Sequence, residues 1–343
     1  MTWLTWRQSR AQAIAAATAL AALAVVLWIT GPNLVHLYDT SGIATCNPDG
    51  SCHTLVDDFS NKLTQLDAVL YFACLGLLLL VPGLIGVFWG APLVTREIEG
   101  RSLPLAWNQS VTRTQWIAVK LGLVGLLAMA TAGLLSLMVT WWASPIDTSL
   151  NLDLNTRTDL TRLGPILFDT RDITPVGYAA FAFALGVAAG VLIRRTVPAM
   201  AATLGSFAAV QLAWPIWIRQ HLIAPVHAVV PLIPADVFQI KDVDGTLSIY
   251  AMPNFSQQGA WVLSSQVVDK AGHPFRGSAP ASCFSNNFQP CQAWIGSLHL
   301  RQVVSYEPAS RFWEFQWYET ALFAAAALVL AGLCAWLIHR RGA

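Results

Sequence analysis

"GAPLVTREIEGRSLPLAWNQSVTRTQW", Gly90 to Trp116, is a polar stretch of mixed charge between two long apolar runs; with Lys120 just beyond, it brings together Arg96, Glu97, Glu99, Arg101 and Arg113. The rest of this 343-residue chain makes it stand out, being 55% hydrophobic and only 11% charged, about half the usual charged share. A helix needs about 20 consecutive apolar residues to cross a bilayer core. Six uncharged runs qualify: residues 11–35, 68–89, 121–142, 173–193, 196–218 and 320–338. The quoted stretch is then the connection between the second and third crossings. The fold class that follows is an all-α polytopic membrane protein with six transmembrane helices. Pro82, Pro198 and Pro215 are expected to kink these helices without breaking them, because neighbouring helices satisfy the freed backbone groups.

Charge distribution gives the orientation. If the N-terminus is cytoplasmic and the spans alternate, the inside segments hold Arg7, Arg10, Arg96, Arg101, Arg113, Lys120, Arg194, Arg195, Arg340 and Arg341, ten of the 20 basic residues, while of the 19 acids only Glu97 and Glu99 lie there. The positive-inside rule therefore places both termini in the cytoplasm and the protein in the plasma membrane. The first apolar run exceeds the h-region of a signal peptide and is expected to be an uncleaved span. Trp3 and Trp6 beside Arg7 and Arg10 suggest that residues 1–10 form a short helix lying at the cytoplasmic interface.

The division is then residues 1–10 as interfacial helix, 11–218 as spans one to five with the cytoplasmic loop 90–120, 219–319 as an extracellular domain, and 320–343 as the sixth span and tail. Turn signals "DVDGT" and "AGHP" alternate with strand-like "LSIYAM" and "GAWVLSSQVV" in the extracellular segment, which predicts a compact α+β or β-rich unit. Cys46 and Cys52 fall in the first outer loop and Cys283 and Cys291 in the last, while Cys74 and Cys334 fall within spans. Two even pairs on the oxidising side read as two local disulfides, with cross-pairing between the loops or free thiols as the alternatives. The stretch "YEPASRFWEFQWYE" before the sixth span predicts an aromatic helix lying in the headgroup region, an aromatic ligand platform being the alternative.

Several chemistries have no residues to carry them. Ion-coupled carriers keep ionisable groups inside their spans, whereas here Asp67, Lys120 and Glu319 sit at span edges, where snorkelling is cheap. No nucleophile and base pair stands at membrane depth, so no catalytic residue is assigned. His221 and His227 flank Pro225 at a spacing that does not share a helical face, and "DVDG" at Asp242 to Gly245 lacks the remaining ligands of a calcium loop, so no metal site is assigned. The phosphate-cradling GxxxxGK[ST] is missing, since no Gly-Lys pair occurs in the chain. Energised work would therefore need ATP and Mg2+ held by a separate ATPase subunit.

The Gly90-Ala91-Pro92 exit followed by "TREIEGRSLPLAWNQSVTRTQWIAVKL" resembles the first cytoplasmic loop of ABC-2 type ABC transporter permeases, with an acidic E-x-E-G turn before a basic segment leading into the third span. The likeness runs through the spans and loop sizes to "YEPASRFWEFQWYETALF" and is greatest to actinobacterial permeases without an ATPase domain of their own. It implies an exporter subunit that pairs with a second copy or a sister permease above two cytoplasmic ATPase subunits. It assigns ATPase coupling to Thr95 through Gly100, with Arg96, Glu97, Glu99 and Arg101 as polar contacts and Trp6 and Arg7 as a second contact. A solvated helix of no special role is the plainer reading of the same charges. The resemblance also puts spans two and five along the pathway, making Phe72, Phe88, Phe207 and Gln211 candidate lining residues, although each could equally be a packing or lipid-facing side chain. Gly86 with Gly90, and Gly186 with Gly190, have the GxxxG spacing of close helix packing, a spacing that also arises by chance in a Gly- and Ala-rich chain. Spans without charge favour an apolar or amphipathic cargo such as a drug-like molecule, lipid or lipopeptide. No feature points to nucleic acid. The competing function is a membrane-anchored sensor or envelope-assembly component that acts through its outer domain without transport.

Overall fold

A computed structural model describes residues 2–46, 52–99, 113–152, 161–243, 246–251, 257, 259–275, 277, 280, 283 and 289–340. Among these, six helical stretches are long and apolar enough to cross a membrane. The elements before the sheet are α1 (Thr2–Thr40), α2 (Cys52–Lys62), α3 (Gln65–Ile85), α4 (Ala91–Glu99), α5 (Arg113–Leu152), α6 (Pro165–Asp169), α7 (Thr174–Ile193) and α8 (Thr196–Ala213). The later helices are α9 (Gln289–Leu298) and α10 (Phe312–Arg340).

The helix α7 is the hub of the bundle: 61% of its apolar window is buried, against 6% for α1, and it packs on α3, α4, α5, α8 and α10. Its composition explains this position. Gly and Ala dominate "TPVGYAAFAFALGVAAGVLI", and small residues let neighbouring backbones approach. The approach is closest where the two GxxxG pairs meet each other. A Cβ on Gly186 would lie 2.2 Å from the Gly86 carbonyl oxygen, one on Gly90 2.5 Å from that of Phe183, and one on Gly190 2.8 Å from that of Ala91. The spacing is thus a backbone-to-backbone seam between the second crossing and α7.

Two π-helical turns interrupt the crossings, Gly86–Gly90 between α3 and α4 and Trp214–Ile218 after α8. The second contains Pro215, whose missing N–H removes an α-helical bond. Pro32, Pro82 and Pro145 sit within continuous helices, and the prolines bend or widen the crossings without ending them. Thr64 and Asp67 form a capping box at the start of α3, with the Asp67 N–H donating to Thr64 Oγ1 at 3.2 Å and the Thr64 N–H to Asp67 Oδ2 at 3.3 Å. Asp67 is thus an edge residue with a capping role.

Strands β1 (Val226–Pro231), β2 (Val237–Val243), β3 (Thr246–Ala251), β4 (Trp261–Val268) and β5 (Arg301–Glu307) lie between the fifth and sixth crossings. The strands form an antiparallel sheet of order β1-β5-β4 and a separate β2-β3 hairpin. The hairpin, α9 and Cys283 share a small core, and Leu163, Phe168, Trp261, Phe312 and Phe315 join the sheet to α6 and α10. Both local disulfides, Cys46 with Cys52 and Cys283 with Cys291, are formed, while Cys74 and Cys334 are buried thiols. The strand-like stretches fall in β3 up to Ala251 and in β4 from Trp261, and "AGHP" is a turn in which the Ala271 and His273 N–H groups donate to Asp269 Oδ1.

Three boundaries differ from those expected. Residues 2–10 are the first turns of α1, which runs on unbroken, because no glycine or proline separates Arg10 from the apolar run. The helix of the second crossing does not end at Gly90-Ala91-Pro92; the π turn leads directly into α4, and the Phe88 carbonyl four residues before Pro92 accepts from Gln12 Nε2 instead. The aromatic stretch before the sixth span is β5, a 3₁₀ turn and the start of α10, not a separate interfacial helix. Its Phe312 and Phe315 are buried against Phe168, whereas Trp313, Trp317 and Tyr318 face outward.

Candidate functional site

Two polar clusters, one at each end of the bundle, tie the crossings together. The cluster near the sheet grows from "FDTRDIT", Phe168 to Thr174. Gly164 and Pro165 start the five-residue α6, Asp172 adopts a left-handed φ of 56°, and α7 begins at Thr174. This tight path sends Asp169 to one side and Arg171 to the other. Gln316 of α10 closes it: its Oε1 accepts from the Ile173 N–H at 3.2 Å, the Thr174 N–H at 3.0 Å and Thr174 Oγ1 at 2.6 Å, and its Nε2 donates to the carbonyls of Phe168 and Arg171 at 3.3 Å.

On the first side, Asp169 meets Tyr178 of α7, Arg219 of the turn after α8, and Glu319 of α10. Arg219 Nε donates to Glu319 Oε2 at 2.8 Å and its Nη2 to Glu319 Oε1 at 2.8 Å. The same Nη2 reaches Asp169 Oδ1, and the Tyr178 hydroxyl lies against both Asp169 Oδ1 and Glu319 Oε1. The guanidinium carbon sits 4.3 Å from the centre of the Phe168 ring. On the other side, Arg171 pairs with Asp147 of α5 through Nε at 2.6 Å and Nη2 at 3.1 Å, and the Tyr71 hydroxyl of α3 donates to Asp147 Oδ1 at 2.7 Å.

The expectation that Glu319 sits at a span edge with its charge in solvent is overturned. Glu319 and Arg219 are both 0% exposed and meet their charges inside the protein, Glu319 on Arg219 and Tyr178, and Arg219 on Glu319 and Asp169. Lys120, also read as an edge residue, is buried against Glu97.

At the far end, α4 holds its neighbours through the residues singled out in the sequence. Glu97 forms an ion pair with Lys120 of α5. Glu99 Oε1 accepts from the Thr196 N–H at 2.9 Å and its Oε2 from Thr196 Oγ1 at 2.7 Å, so a side chain of one helix caps the N-terminus of α8. That hydrogen bonding holds the Glu99 carboxyl below the usual carboxylate range. Thr95 is buried, with its hydroxyl on the Ala91 carbonyl at 3.0 Å and its methyl facing Gly190. Arg96 and Arg7 are exposed. Gly100, Arg101 and the side chain of Trp6 lie outside the described residues.

The four pathway candidates do not converge. Phe72 and Phe88 point outward, Phe207 is buried against Gly83 and Tyr178, and Gln211 donates to Asp169 Oδ2 at 3.1 Å. Phe88 does border an apolar groove of about 510 Å³ between α1, α3 and α5, lined by Ala15, Ala19, Leu23, Leu77 and Leu84 among others. Gln12 donates there to the Phe88 carbonyl at 3.1 Å, a carbonyl in the π turn. His221 and His227 bond separately to the Trp217 carbonyl and Ser305 Oγ. Among the described residues no three His, Cys, Asp or Glu side chains are grouped to hold a metal.

Sequence reasoning missed the Asp147, Asp169, Arg171, Arg219 and Glu319 network. The signal was that charges of both signs border four different spans at the same end, which is the pattern of an inter-helix clasp and not of separate snorkelling groups.

A family profile described as "ABC-2 membrane transporter related" matches residues 17–219, from early in α1 to Arg219 itself. No curated protein and no solved structure matches the chain.

Proposed function

Since the chain belongs to the ABC-2 membrane-transporter-related family, we propose that this multi-pass transporter subunit is the permease half of an ATP-driven exporter. The family match over the first five crossings carries this reading. Members of such a family work with an ATPase subunit, and in our reading two ATPases bind ATP and Mg2+ beneath a pair of permeases, as a homodimer or with a sister chain. The end bearing Glu97, Glu99, Lys120, Arg194 and Arg195 faces the cytoplasm, and the disulfide-bonded sheet lies outside. Two observations support this orientation: the basic residues at the first end and two disulfides at the second.

Coupling follows from the clasp at α4. A partner that shifts α4 draws on α5 through Glu97 and Lys120 and on α8 through Glu99 and Thr196, so the crossings move as a connected set. The exposed Arg96 of α4 is open to contact with that partner. The apolar groove beside Phe88 favours an apolar or amphipathic cargo over a small ion.

The test is reconstitution with the ATPase that co-purifies, followed by ATP-dependent movement of an amphipathic dye across vesicles. The Glu97→Gln, Glu99→Gln double variant, which keeps polar partners for Lys120 and Thr196, is expected to insert and fold but to lose most ATP-dependent transport. Transport equal to wild type would remove these acids from coupling. Binding of a ligand by the sheet domain with no ATP-dependent movement would favour the sensor reading instead.

A further inference from the structure

The Asp169 cluster contains more acid than its partners can balance. Asp169 is 4% exposed, Tyr178 2%, and Arg219 and Glu319 0%. The groups facing it are Asp169 from α6, Tyr178 from α7, Arg219 from the turn after α8, Glu319 from α10, and the neutral Gln211 from α8. Both carboxylates pair with the same guanidinium, so full ionisation leaves one uncompensated negative charge in a closed space. A protein relieves such a charge by protonating the group.

Counting hydrogens leads independently to the same place. The two hydrogens on Arg219 Nη2 point to Asp169 Oδ1 and Glu319 Oε1, with the Tyr178 oxygen a longer third acceptor at 3.2 Å, the one on Nε serves Glu319 Oε2, the Gln211 amide serves Asp169 Oδ2, and Nη1 reaches neither acid. The Tyr178 hydroxyl touches Asp169 Oδ1 at 2.9 Å and also touches Glu319 Oε1, yet a hydroxyl has a single hydrogen to donate. With both acids ionised, one of these contacts sets a carboxylate lone pair against a phenol lone pair. One added hydrogen on a carboxyl turns that contact into a bond donated to the Tyr178 oxygen.

We propose that this cluster is a proton-binding latch: one proton, shared by Asp169 and Glu319 around the Tyr178 hydroxyl, turns the mismatched Tyr178 contact into a hydrogen bond, cancels the buried charge and fastens α6, α7, the end of α8 and α10. Its release loosens the sheet end of the protein. Burial pushes the Asp169 carboxyl up to about 6, against the opposing pull of Arg219 and with Glu319 adding to the rise. A carboxyl raised on folding stabilises the protein fully below its unfolded value, about 3.9, and that contribution is lost as pH rises through about 6.

The experiment uses the full chain in detergent or lipid discs and reads the thermal midpoint from about pH 5 to about pH 8. The wild-type midpoint is expected to fall with pH. Asp169→Asn and Glu319→Gln each supply a neutral group with hydrogens to donate, so each is expected to flatten the profile and to match or exceed wild type at the alkaline end. A flat wild-type profile, or variants that keep the wild-type slope, would overturn the latch. So would alkaline stability that depends on added Na+, which would assign the charge balance to a metal cation. Infrared spectroscopy of the wild type alone decides the matter should the variants not fold. A protonated-carboxyl band that exchanges slowly in D2O at the acidic end and vanishes at the alkaline end is expected, and its absence throughout overturns the proposal.

Discussion

Gly186→Ala adds one methyl group to α7 and tests the seam at its tightest point. The new Cβ would stand 2.2 Å from the Gly86 carbonyl oxygen and 2.8 Å from the Ala91 nitrogen, where ordinary contact begins at 3.4 Å. Bringing 2.2 Å to 3.4 Å requires the two helices to part by about 1.2 Å. Both obstacles are backbone atoms, so no side-chain rotation relieves them. Overpacking costs about 1–3 kcal/mol in well-packed sites, and the upper half of that range is expected here because Gly90 and Gly190 must open with Gly186. A loss of about 2–3 kcal/mol lowers the ratio of folded to unfolded protein by roughly 30- to 150-fold. The assay is the fraction of monodisperse protein that survives graded heating in detergent, measured by size-exclusion chromatography. Gly122→Ala on α5 is the control, since a Cβ there meets nothing within 4 Å and the change is expected to stay within about 1 kcal/mol. If Gly186→Ala tolerates heat as well as Gly122→Ala, the seam does not hold the second crossing to α7 and the reasoning fails.

Arg171→Met leaves the partly exposed Asp147 without its buried cation and is expected to cost about 2–3 kcal/mol, whereas Tyr71→Phe removes one neutral donor from the same carboxylate and should cost about 1 kcal/mol; the same heating assay ranks the two, and equal losses would contradict the pairing geometry. Replacing Cys283 and Cys291 together by Ser opens a short loop in the core shared by the β2-β3 hairpin and α9, for an expected loss of about 2–3 kcal/mol. That loss should appear as faster proteolysis within residues 226–307 while the crossings stay intact, and cleavage unchanged from wild type would count against it.

The six crossings were legible because the membrane sets a hard length and composition requirement that apolar runs either meet or fail. Both disulfides were legible because the two outer cysteine pairs are each close in sequence. The strands were legible only in part. β3 and β4 carry clear runs between turn signals, while the register that makes β5 the central strand depends on Tyr306 lying opposite both Val226 and Val262, a long-range pairing that no local pattern encodes. The continuity of α4 with α3 was hidden because Gly90 and Pro92 ordinarily mark an ending; here the glycine serves the seam and the carbonyl that the proline cannot serve is taken by Gln12. The buried clasp was illegible for a similar reason. Asp169, Arg219 and Glu319 are up to 150 residues apart in the chain, and each alone borders an apolar run just as a snorkelling charge would.

The helix α7 is engaged along its whole length. Its C-terminal half meets α4 and the π turn backbone to backbone through Gly186 and Gly190, and its N-terminal end is fastened by Gln316 and through Tyr178 to α10 and the turn after α8. A seam without side chains cannot yield by rotamer change, so α4 and α7 shift together or part altogether. Within the exporter reading, a displacement that an ATPase imposes on α4 would therefore arrive at the sheet end as a displacement of α7. The groups positioned to permit or resist it there are Asp169, Tyr178, Arg219 and Glu319. The compliant point outside that seam is then the π turn at Trp214–Ile218, where the regular helical ladder is already interrupted. A shift that enters at α4 thus has a rigid route across the bundle through α7 beside its side-chain links to α5 and α8, and in the latch proposal the protonation of the far cluster sets how firmly that route is anchored.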